Sequence, residues 1–267
     1  MATTATALER LPLRRPNLVT ICLKETKYEF LKCLRFPMYS VSTLALPLMF
    51  YVLFGLVMGH QSIGNISTAV YLIPAYGTFA VMGASLFGTA AGLASERGLG
   101  WLQVKRASPM PLVAYFLAKV VMSLIFSTID VGALMLLGIT FGGVHLAPLT
   151  AAKLLGTLVA GSIPFCAMGL GIGYLATPNS APAVINLFYL PMSFCAGLWM
   201  PYQFLPHFVQ RIALVLPPYH LSQLAFNVVG AVQGGPMAIH WQTLGGFTLI
   251  CLGVAWVGHQ RDQKANG

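Results

Sequence analysis

The chain has 267 residues, of which 57% are hydrophobic and only 8% are charged. Soluble domains carry roughly 25% charged residues, so this composition excludes a soluble globular protein, a disulfide scaffold and a disordered tail. The formal net charge of +9 comes from only 15 Lys and Arg residues, and in a chain of this composition it does not indicate a nucleic-acid binder.

The first 36 residues are expected to form an amino-terminal segment on the cytoplasmic side. Residues 1–16 lack the continuous apolar run of a secretory signal peptide. Residues 17–36 are amphipathic at the period of an α-helix, which predicts a helix in the membrane interface with its cations near anionic headgroups. These cations are Lys24, Lys27, Lys32 and Arg35. The same pattern also fits a lever that touches a cytoplasmic partner, and both interpretations stay open.

Six apolar stretches have the length of about 20 residues that a helix needs to cross a bilayer. They cover residues 37–59, 70–94, 112–141, 154–176, 181–200 and 239–258. The sequence therefore predicts an all-α membrane domain over residues 37–258, followed by a short cytoplasmic tail at residues 259–267.

The segment between the second and third spans, residues 95–111, is too polar to cross a membrane and too short to form a domain. Ser95 is suited to cap a helix and Pro109 to end one. Gly98 and Gly100 would each cost about 1 kcal/mol relative to Ala inside a helix. A short helix weakened by glycine suggests docking to something outside the membrane, but a solvated loop that only sets topology fits the residues equally well.

Three charged residues fall within or beside the predicted spans. Lys119 lies about two turns into the third span, where snorkelling or helix packing is expected. Asp130 lies deeper, where an unpaired carboxylate costs at least about 2.5 kcal/mol. Lys153 enters the fourth span after a short loop. We expect an ion pair between Asp130 and Lys153, and a proton or ion relay at Asp130 is the alternative.

Residues 203–236 contain two apolar stretches that are too short to span and are separated by Pro217 and Pro218. Stretches of this length are interfacial or re-entrant, and backbone breaks at membrane depth persist only where protein or water covers them. The segment is therefore expected either to cover the outer end of a pathway or to pack on the surface.

The Lys and Arg residues give the orientation, because they concentrate on the cytoplasmic side of membrane proteins. With six spans, one side collects the amino terminus, the loop after the second span and the tail. The cations on that side are Arg10, Arg14, Arg15, Lys24, Lys27, Lys32, Arg35, Arg97, Lys105, Arg106, Arg261 and Lys264. Both termini are therefore predicted to be cytoplasmic.

Recognisable catalytic chemistry is absent from the sequence. It has no GxxxxGK[ST], no HExxH and no GxSxG motif, and its five cysteines form no CxxC pair. The sequence therefore predicts no catalytic residues, no metal site and no bound cofactor, and it favours transport over an intramembrane enzyme.

Residues 34–143 resemble the ABC-2 family of ATP-binding-cassette transporter permeases. The run LRFPMYSVSTLALPLMFYVLFG at residues 34–55 is similar to the family's entry into its first span. The run ERGLGWLQVKRASPMP at residues 96–111 is similar to the loop after its second span, and residues 201–230 to its two external helices. The chain departs from the family at Gly98, Trp101, Lys105 and Arg106, and these basic residues are expected to meet acidic groups on a partner.

The resemblance implies that the loop after the second span is a coupling helix docked in a groove of an ATPase subunit. The residues expected in this role are Glu96, Arg97, Gly100, Trp101, Gln103, Ser108 and Pro109. Glu96 and Arg97 would orient the helix through ion pairs, and Gly100 would allow the turn.

The resemblance also implies a complex of two permease subunits, identical or paralogous, with two ATPase subunits that bind ATP and Mg²⁺. Spans two and five would line the pathway, with Phe79, Met82, Phe188, Met192 and Phe194 as candidates. The expected location is the cell (inner) membrane of a bacterium or archaeon.

Several functions stay open at this point. A hydrophobic, drug-like substrate fits the apolar spans and the lack of a large external domain, while a lipid or glycolipid-linked polysaccharide fits the amphipathic entry helix. An ion-coupled secondary transporter would need midplane coupling groups and usually internal repeats, and only Asp130 meets that need.

Overall fold

The structure is a computed structural model that describes residues 17–35, 37–57, 62–63, 66–107, 110–231 and 235–266. Its helices are α1 (Leu18–Arg35), α2 (Pro37–Phe50), α3 (Thr68–Leu86), α4 (Gly92–Gly98), α5 (Trp101–Ala107), α6 (Leu112–Thr140), α7 (Pro148–Ala160), α8 (Ile163–Leu175), α9 (Ala181–Cys195), α10 (His207–Ala213), α11 (Pro217–Val228) and α12 (Met237–Asn266). Two strands, β1 (Ser62–Ile63) and β2 (Ile66–Ser67), pair antiparallel. A 3-10 turn (Tyr202–Phe204) precedes α10.

Helix α3 forms the centre of the bundle. It continues through a wider π-helical turn (Phe87–Ala91) into α4, so one helical rod covers Thr68–Gly98, and 89% of its most apolar stretch is buried. A helix that is apolar on all sides must be surrounded by others, and α2, α6, α8 and α11 pack around it. The core of the molecule therefore lies along the second predicted span.

Within the described residues, four helical segments are long and apolar enough to cross a membrane: Thr68–Gly98, Val113–Thr140, Pro148–Leu175 and Met237–Lys264. The first and fifth predicted spans correspond to the shorter apolar helices Thr43–Leu56 and Ala181–Cys195. The predicted all-helical membrane architecture is confirmed in outline, while the count of six spans stays a prediction.

The fourth span differs from the expectation of one helix over residues 154–176. It starts earlier, at Pro148, and consists of α7 and α8 joined by a turn at Gly161 and Ser162. The Leu221 side chain packs directly against this turn, because a Cβ on Gly161 would overlap its Cδ1 atom. Glycine is therefore the residue that fits at this point.

The two short helices expected near residues 203–236 are present as α10 and α11. Helix α11 is buried along most of its length and packs against α3, α7 and α12, so it is part of the bundle. The backbone break before α11, at Pro217, is surrounded by protein. A break at membrane depth requires such cover.

Glycines allow α8 to approach the central rod closely. A Cβ on Gly173 would lie 2.9 Å from the Leu93 Cβ and 3.0 Å from the Ala90 carbonyl oxygen. Gly169, four residues earlier, faces Thr89 in the same way, because a Cβ there would overlap the Thr89 Oγ1 atom. The GxxxG spacing therefore marks a real helix contact here.

Candidate functional site

The segment between α3 and α6 forms the short helix that the sequence predicted. Helix α4 ends at Gly98, and α5 runs over Trp101–Ala107. Between them Gly100 has a φ of +75°, a left-handed conformation that glycine adopts without steric cost. Ser108 and Pro109 lie outside the described residues.

Helix α5 has one buried face and one exposed face. Leu102 is 2% exposed and packs with Leu93, Tyr115 and other apolar residues. Leu99, Trp101 and Val104 are 72%, 57% and 62% exposed. The Gln103 side chain is also exposed. The helix therefore presents an apolar surface away from the bundle.

Glu96 lies at the end of α4 and is almost fully buried, with 7% of its side chain exposed. Its carboxylate forms ion pairs with Lys32 of α1 and, at 3.3 Å, with Lys119 of α6. The Tyr115 hydroxyl donates a hydrogen bond to the same carboxylate. Buried charges persist in proteins when they are paired and hydrogen-bonded, and Glu96 satisfies both conditions within one chain.

A second carboxylate, Glu29 of α1, completes the contact between these elements. It lies 3.3 Å from the Lys119 ammonium and 3.5 Å from the Lys105 ammonium. Lys105 also pairs with Glu25. We call this group the charge cluster; its members are Glu25, Glu29, Lys32, Glu96, Lys105, Tyr115 and Lys119. Its three carboxylates match its three ammonium groups in number, so the cluster is neutral overall.

Lys32 shows the electrostatic character of the cluster. Burial acts to lower the pKa of its ammonium, but the carboxylates of Glu96 and Glu29 outweigh burial and hold that pKa above its ordinary value. The charged form of the lysine is therefore favoured where α1 meets α4.

Arg97 ties α4 to the opposite side of the bundle. Its Nε donates to Asp262 of α12 at 2.9 Å, and one of its terminal nitrogens donates to the carbonyl oxygens of Gly173 and Tyr174 at 2.9 and 2.7 Å. The planar guanidinium suits several acceptors at fixed angles. Arg97 therefore joins the end of α4 to the ends of α8 and α12.

Sequence reasoning identified part of this arrangement and missed the rest. It predicted ion pairs for Glu96 and Arg97, which the structure contains, but it did not name their partners. Lys105 was expected to meet a partner's acidic groups, and instead points inward to Glu25 and Glu29. The acidic residues Glu25 and Glu29 of α1 were the available signal for these pairs. The amphipathic pattern alone did not show which partners they meet.

The cations of α1 divide into two groups. Lys24, Lys27 and Arg35 are exposed, as the interfacial interpretation requires, whereas Lys32 belongs to the charge cluster. Two apolar residues of α1 differ in their surroundings. Leu23 is 67% exposed, while Phe30 packs with Phe126 of α6 at 5.6 Å between ring centroids. The helix thus binds the bundle along one edge and leaves apolar side chains free to contact lipid.

The charged residues of the spans follow the predictions only in part. Lys119 is 0% exposed and pairs with Glu29 of α1 inside the bundle, so of its two expected roles it has helix packing and not snorkelling. Asp130 is 1% exposed, and neither of its carboxylate oxygens has a hydrogen-bond partner within the described part of the chain. Lys153 is exposed, because α7 begins at Pro148 and turns this residue outward. The expected ion pair between Asp130 and Lys153 is therefore wrong for this arrangement.

The candidate pathway residues occupy two environments. Phe79 and Met82 are fully buried in the core of the single chain, and Phe79 stacks on Tyr189 with 4.6 Å between centroids. Phe188 and Phe194 are 42% and 40% exposed on α9, and Met192 is half-buried.

The described residues contain no group of three His, Cys, Asp or Glu side chains that could hold a metal ion.

Comparisons with known proteins agree with this architecture. The sequence profile of the ABC-2 type transporter family matches residues 22–228, which include most of α1, the charge cluster and α11. A Bacillus subtilis (strain 168) protein named "Putative transport permease YvfS" is 24% identical over 211 residues, covering 79% of this chain and 86% of that protein. Since the family match extends over most of the sequence, the chain belongs to the ABC-2 type transporter family.

Proposed function

We propose that this chain is the membrane-spanning permease subunit of an ATP-driven exporter. In this proposal two permease copies, identical or paralogous, form the pathway in a cell membrane. Two separate ATPase subunits bind ATP and Mg²⁺ and drive the permeases from the cytoplasmic side. Membership of the family supports a transport complex with an ATPase partner.

The exposed apolar face of α5 carries the proposal. Trp101 and Val104 of α5, and Leu99 in the turn just before it, are all more than half exposed, and they lie at the end of the bundle that also carries the charge cluster. Exposed apolar patches rimmed by polar residues mark interaction sites, and Trp is enriched among the residues that anchor interfaces. A groove on an ATPase subunit is the partner that fits a single projecting helix of this kind.

The ion pairs around α5 explain how movement at this face would reach the membrane helices. The charge cluster joins the α4–α5 region to α1 and α6, and Arg97 joins it to α8 and α12. Because these contacts are charged and at least partly buried, separating them is costly, so the elements they join would move together. A push on α5 is therefore expected to tilt four helices of the bundle at once.

The substrate is proposed to be a hydrophobic or amphipathic molecule that leaves the inner leaflet or the cytoplasm. The apolar character of the spans and the partly exposed Phe188 and Phe194 on α9 support this class. A lipid or glycolipid-linked polysaccharide is the alternative within the same family, and it would use the exposed apolar side of α1 at the membrane surface.

Site-directed photo-crosslinking would test the ATPase partnership. A photo-reactive amino acid at Gln103 is expected to crosslink an ATPase subunit in native membranes, whereas the same group at Phe208, on exposed α10, is not. Gentle purification of the tagged chain should also yield an ATPase in near-stoichiometric amount. Purification of the chain alone, with crosslinks from Gln103 only to lipid, would overturn the proposal and favour an ion-coupled carrier.

A paired substitution would test coupling separately from assembly. Glu96→Ala with Arg97→Ala is expected to leave membrane insertion intact and to uncouple ATP hydrolysis from transport. Lys153→Ala, at an exposed position on α7, is the matched control and should leave coupling unchanged. Unchanged transport in the Glu96 and Arg97 variant would contradict the coupling role.

A further inference from the structure

Helix α6 carries a line of polar residues on its buried face. Successive members are four, four, four and three residues apart, a spacing that places them on one side of an α-helix. They are Tyr115, Lys119, Ser123, Ser127 and Asp130. All five are between 0% and 1% exposed. The line begins in the charge cluster and ends deep in the third span, so it is a polar strip enclosed by the bundle.

Asp130 differs from the other acidic residues that the structure describes. The other four described acidic residues each contact a cation: Glu25, Glu29, Glu96 and Asp262. Asp130 contacts none in the described part of the chain, and both of its oxygens are buried without a hydrogen-bond partner. The Ser127 hydroxyl, one turn away, is buried in the same condition.

The two nearest candidate cations are excluded by position. Lys119 lies eleven residues away on the same helix, a rise of roughly 16 Å at 1.5 Å per residue, and it is already held by Glu29 and Glu96. Lys153 is exposed on α7. An ionised carboxylate with neither a cation nor a donor is strongly disfavoured inside a protein, and such a group neutralises instead.

We propose that Asp130 is a proton-binding site inside the membrane bundle, protonated in this arrangement and reached along the buried polar strip of α6. The bound ligand is one proton, which converts the carboxylate into a neutral acid. Ser127 and Ser123 provide the hydroxyl groups between this acid and the charge cluster. The proposal goes beyond the proposed function, because it holds whether or not an ATPase drives the protein.

The helices that pack against α6 carry other titratable groups. The Tyr189 hydroxyl of α9 donates to the Phe79 carbonyl oxygen at 3.2 Å. Helix α3 contributes the phenol Tyr76, and α8 the thiol Cys166, which lies beside Ser85 and Ser123. Lys153 of α7 faces outward, and Glu29 of α1 is paired in the charge cluster.

Infrared spectroscopy of the purified chain in lipid bilayers tests the proposal without any partner. At neutral pH the wild type is expected to show a carboxylic-acid C=O band that shifts in D₂O. The band should be absent from Asp130→Asn and retained in Asp262→Asn, the control in which a paired carboxylate is lost. Identical wild-type and Asp130→Asn spectra in this region would overturn the proposal.

Three further measurements test the site if Asp130→Asn does not fold. Titration of the wild-type protein up to pH 7 should leave the acid band in place, and Asp130→Glu should move the band; a band lost by pH 7 would contradict the site. Exchange of the acid proton for deuterium should slow several-fold in Ser123→Ala with Ser127→Ala. Thr128→Ala, an exposed hydroxyl on α6, is the control, and equal exchange rates in both variants would overturn the proposed route.

Discussion

The Lys119 ammonium lies 3.3 Å from the nearest Glu29 carboxylate oxygen and 3.3 Å from that of Glu96. One fully buried lysine of α6 therefore holds both α1 and the end of α4. Lys119, for which snorkelling or helix packing was expected, is therefore the central cation of a neutral cluster. Lys119 is therefore the best position at which to measure the contribution of the charge cluster to the free energy of unfolding.

Lys119→Met is expected to lower the free energy of unfolding by roughly 3–5 kcal/mol, because it leaves two buried carboxylates with one fewer cation. Denaturation of the protein in lipid nanodiscs would measure the loss. Lys153→Met removes an exposed lysine from α7 and should stay within about 0.5 kcal/mol of the wild type.

A double substitution separates pairing from packing at Lys119. Lys119→Met combined with Glu96→Gln should lose less stability than the two single variants added together, because the second change removes a carboxylate left unpaired by the first. Strict additivity would show that the two charges do not interact in the folded protein.

Arg97→Lys is expected to release the end of α12 although it keeps the positive charge. A lysine ammonium cannot bind Asp262 and the two carbonyl oxygens of α8 in the geometry of a guanidinium. Amide hydrogen exchange should therefore rise in residues 259–264, and Asp262→Asn should produce a smaller rise in the same residues. Unchanged exchange in Arg97→Lys would mean that the end of α12 is held by other contacts.

Gly173→Ala is expected to destabilise the protein by about 1–3 kcal/mol, the usual effect of overpacking. The new methyl group would lie 3.0 Å from the Ala90 carbonyl oxygen and 2.9 Å from the Leu93 Cβ, neither of which is a mobile side-chain end. Gly253→Ala in α12 is the matched control, since nothing lies within 4 Å of its Cβ position. That change should be neutral or stabilise the helix by up to about 1 kcal/mol.

Acidic pH is expected to loosen α11 from α12. The Nδ1 atoms of His220 and His240 lie 2.8 Å apart in a buried contact, and the His220 Nε2 lies 2.9 Å from the Leu214 carbonyl oxygen. Burial lowers the pKa of His220, and the nearby His240 lowers it further, despite the opposing effect of the carbonyl. The folded state therefore prefers the neutral ring, and this stabilisation is present above the ordinary histidine pKa of about 6.5.

The stabilisation should be lost as the pH falls below that value, since the unfolded state then binds more protons. Hydrogen exchange in residues 217–228, corrected for intrinsic rates, is expected to increase between pH 8 and pH 5. His220→Asn should reduce this dependence, and the exposed His207→Asn should preserve it. If the pH dependence of exchange persisted fully in His220→Asn, a group other than His220 would be its cause.

Composition and hydrophobic patterning predicted the all-helical membrane architecture, because apolar length decides which segments can enter a bilayer; the count of six spans stays a prediction. The α4–α5 region was also predictable, since its polar residues cannot cross a membrane and Gly100 favours a turn. The tertiary pairs were not: an amphipathic helix shows that Glu29 and Phe30 face different directions, but not which side meets α6. The partners of Lys119 and the lack of an ion pair between Asp130 and Lys153 were not predictable for the same reason, because the partner of a buried charge depends on how distant segments pack.

The charge cluster has a consequence for the order of events during biogenesis. All of its carboxylates and ammonium groups find counterions on the same polypeptide, so a newly inserted subunit can set the position of α5 before any other protein arrives. Assembly would then be the docking of a finished surface, and a subunit made in excess could wait in the membrane without exposing unpaired acidic groups to quality-control proteases.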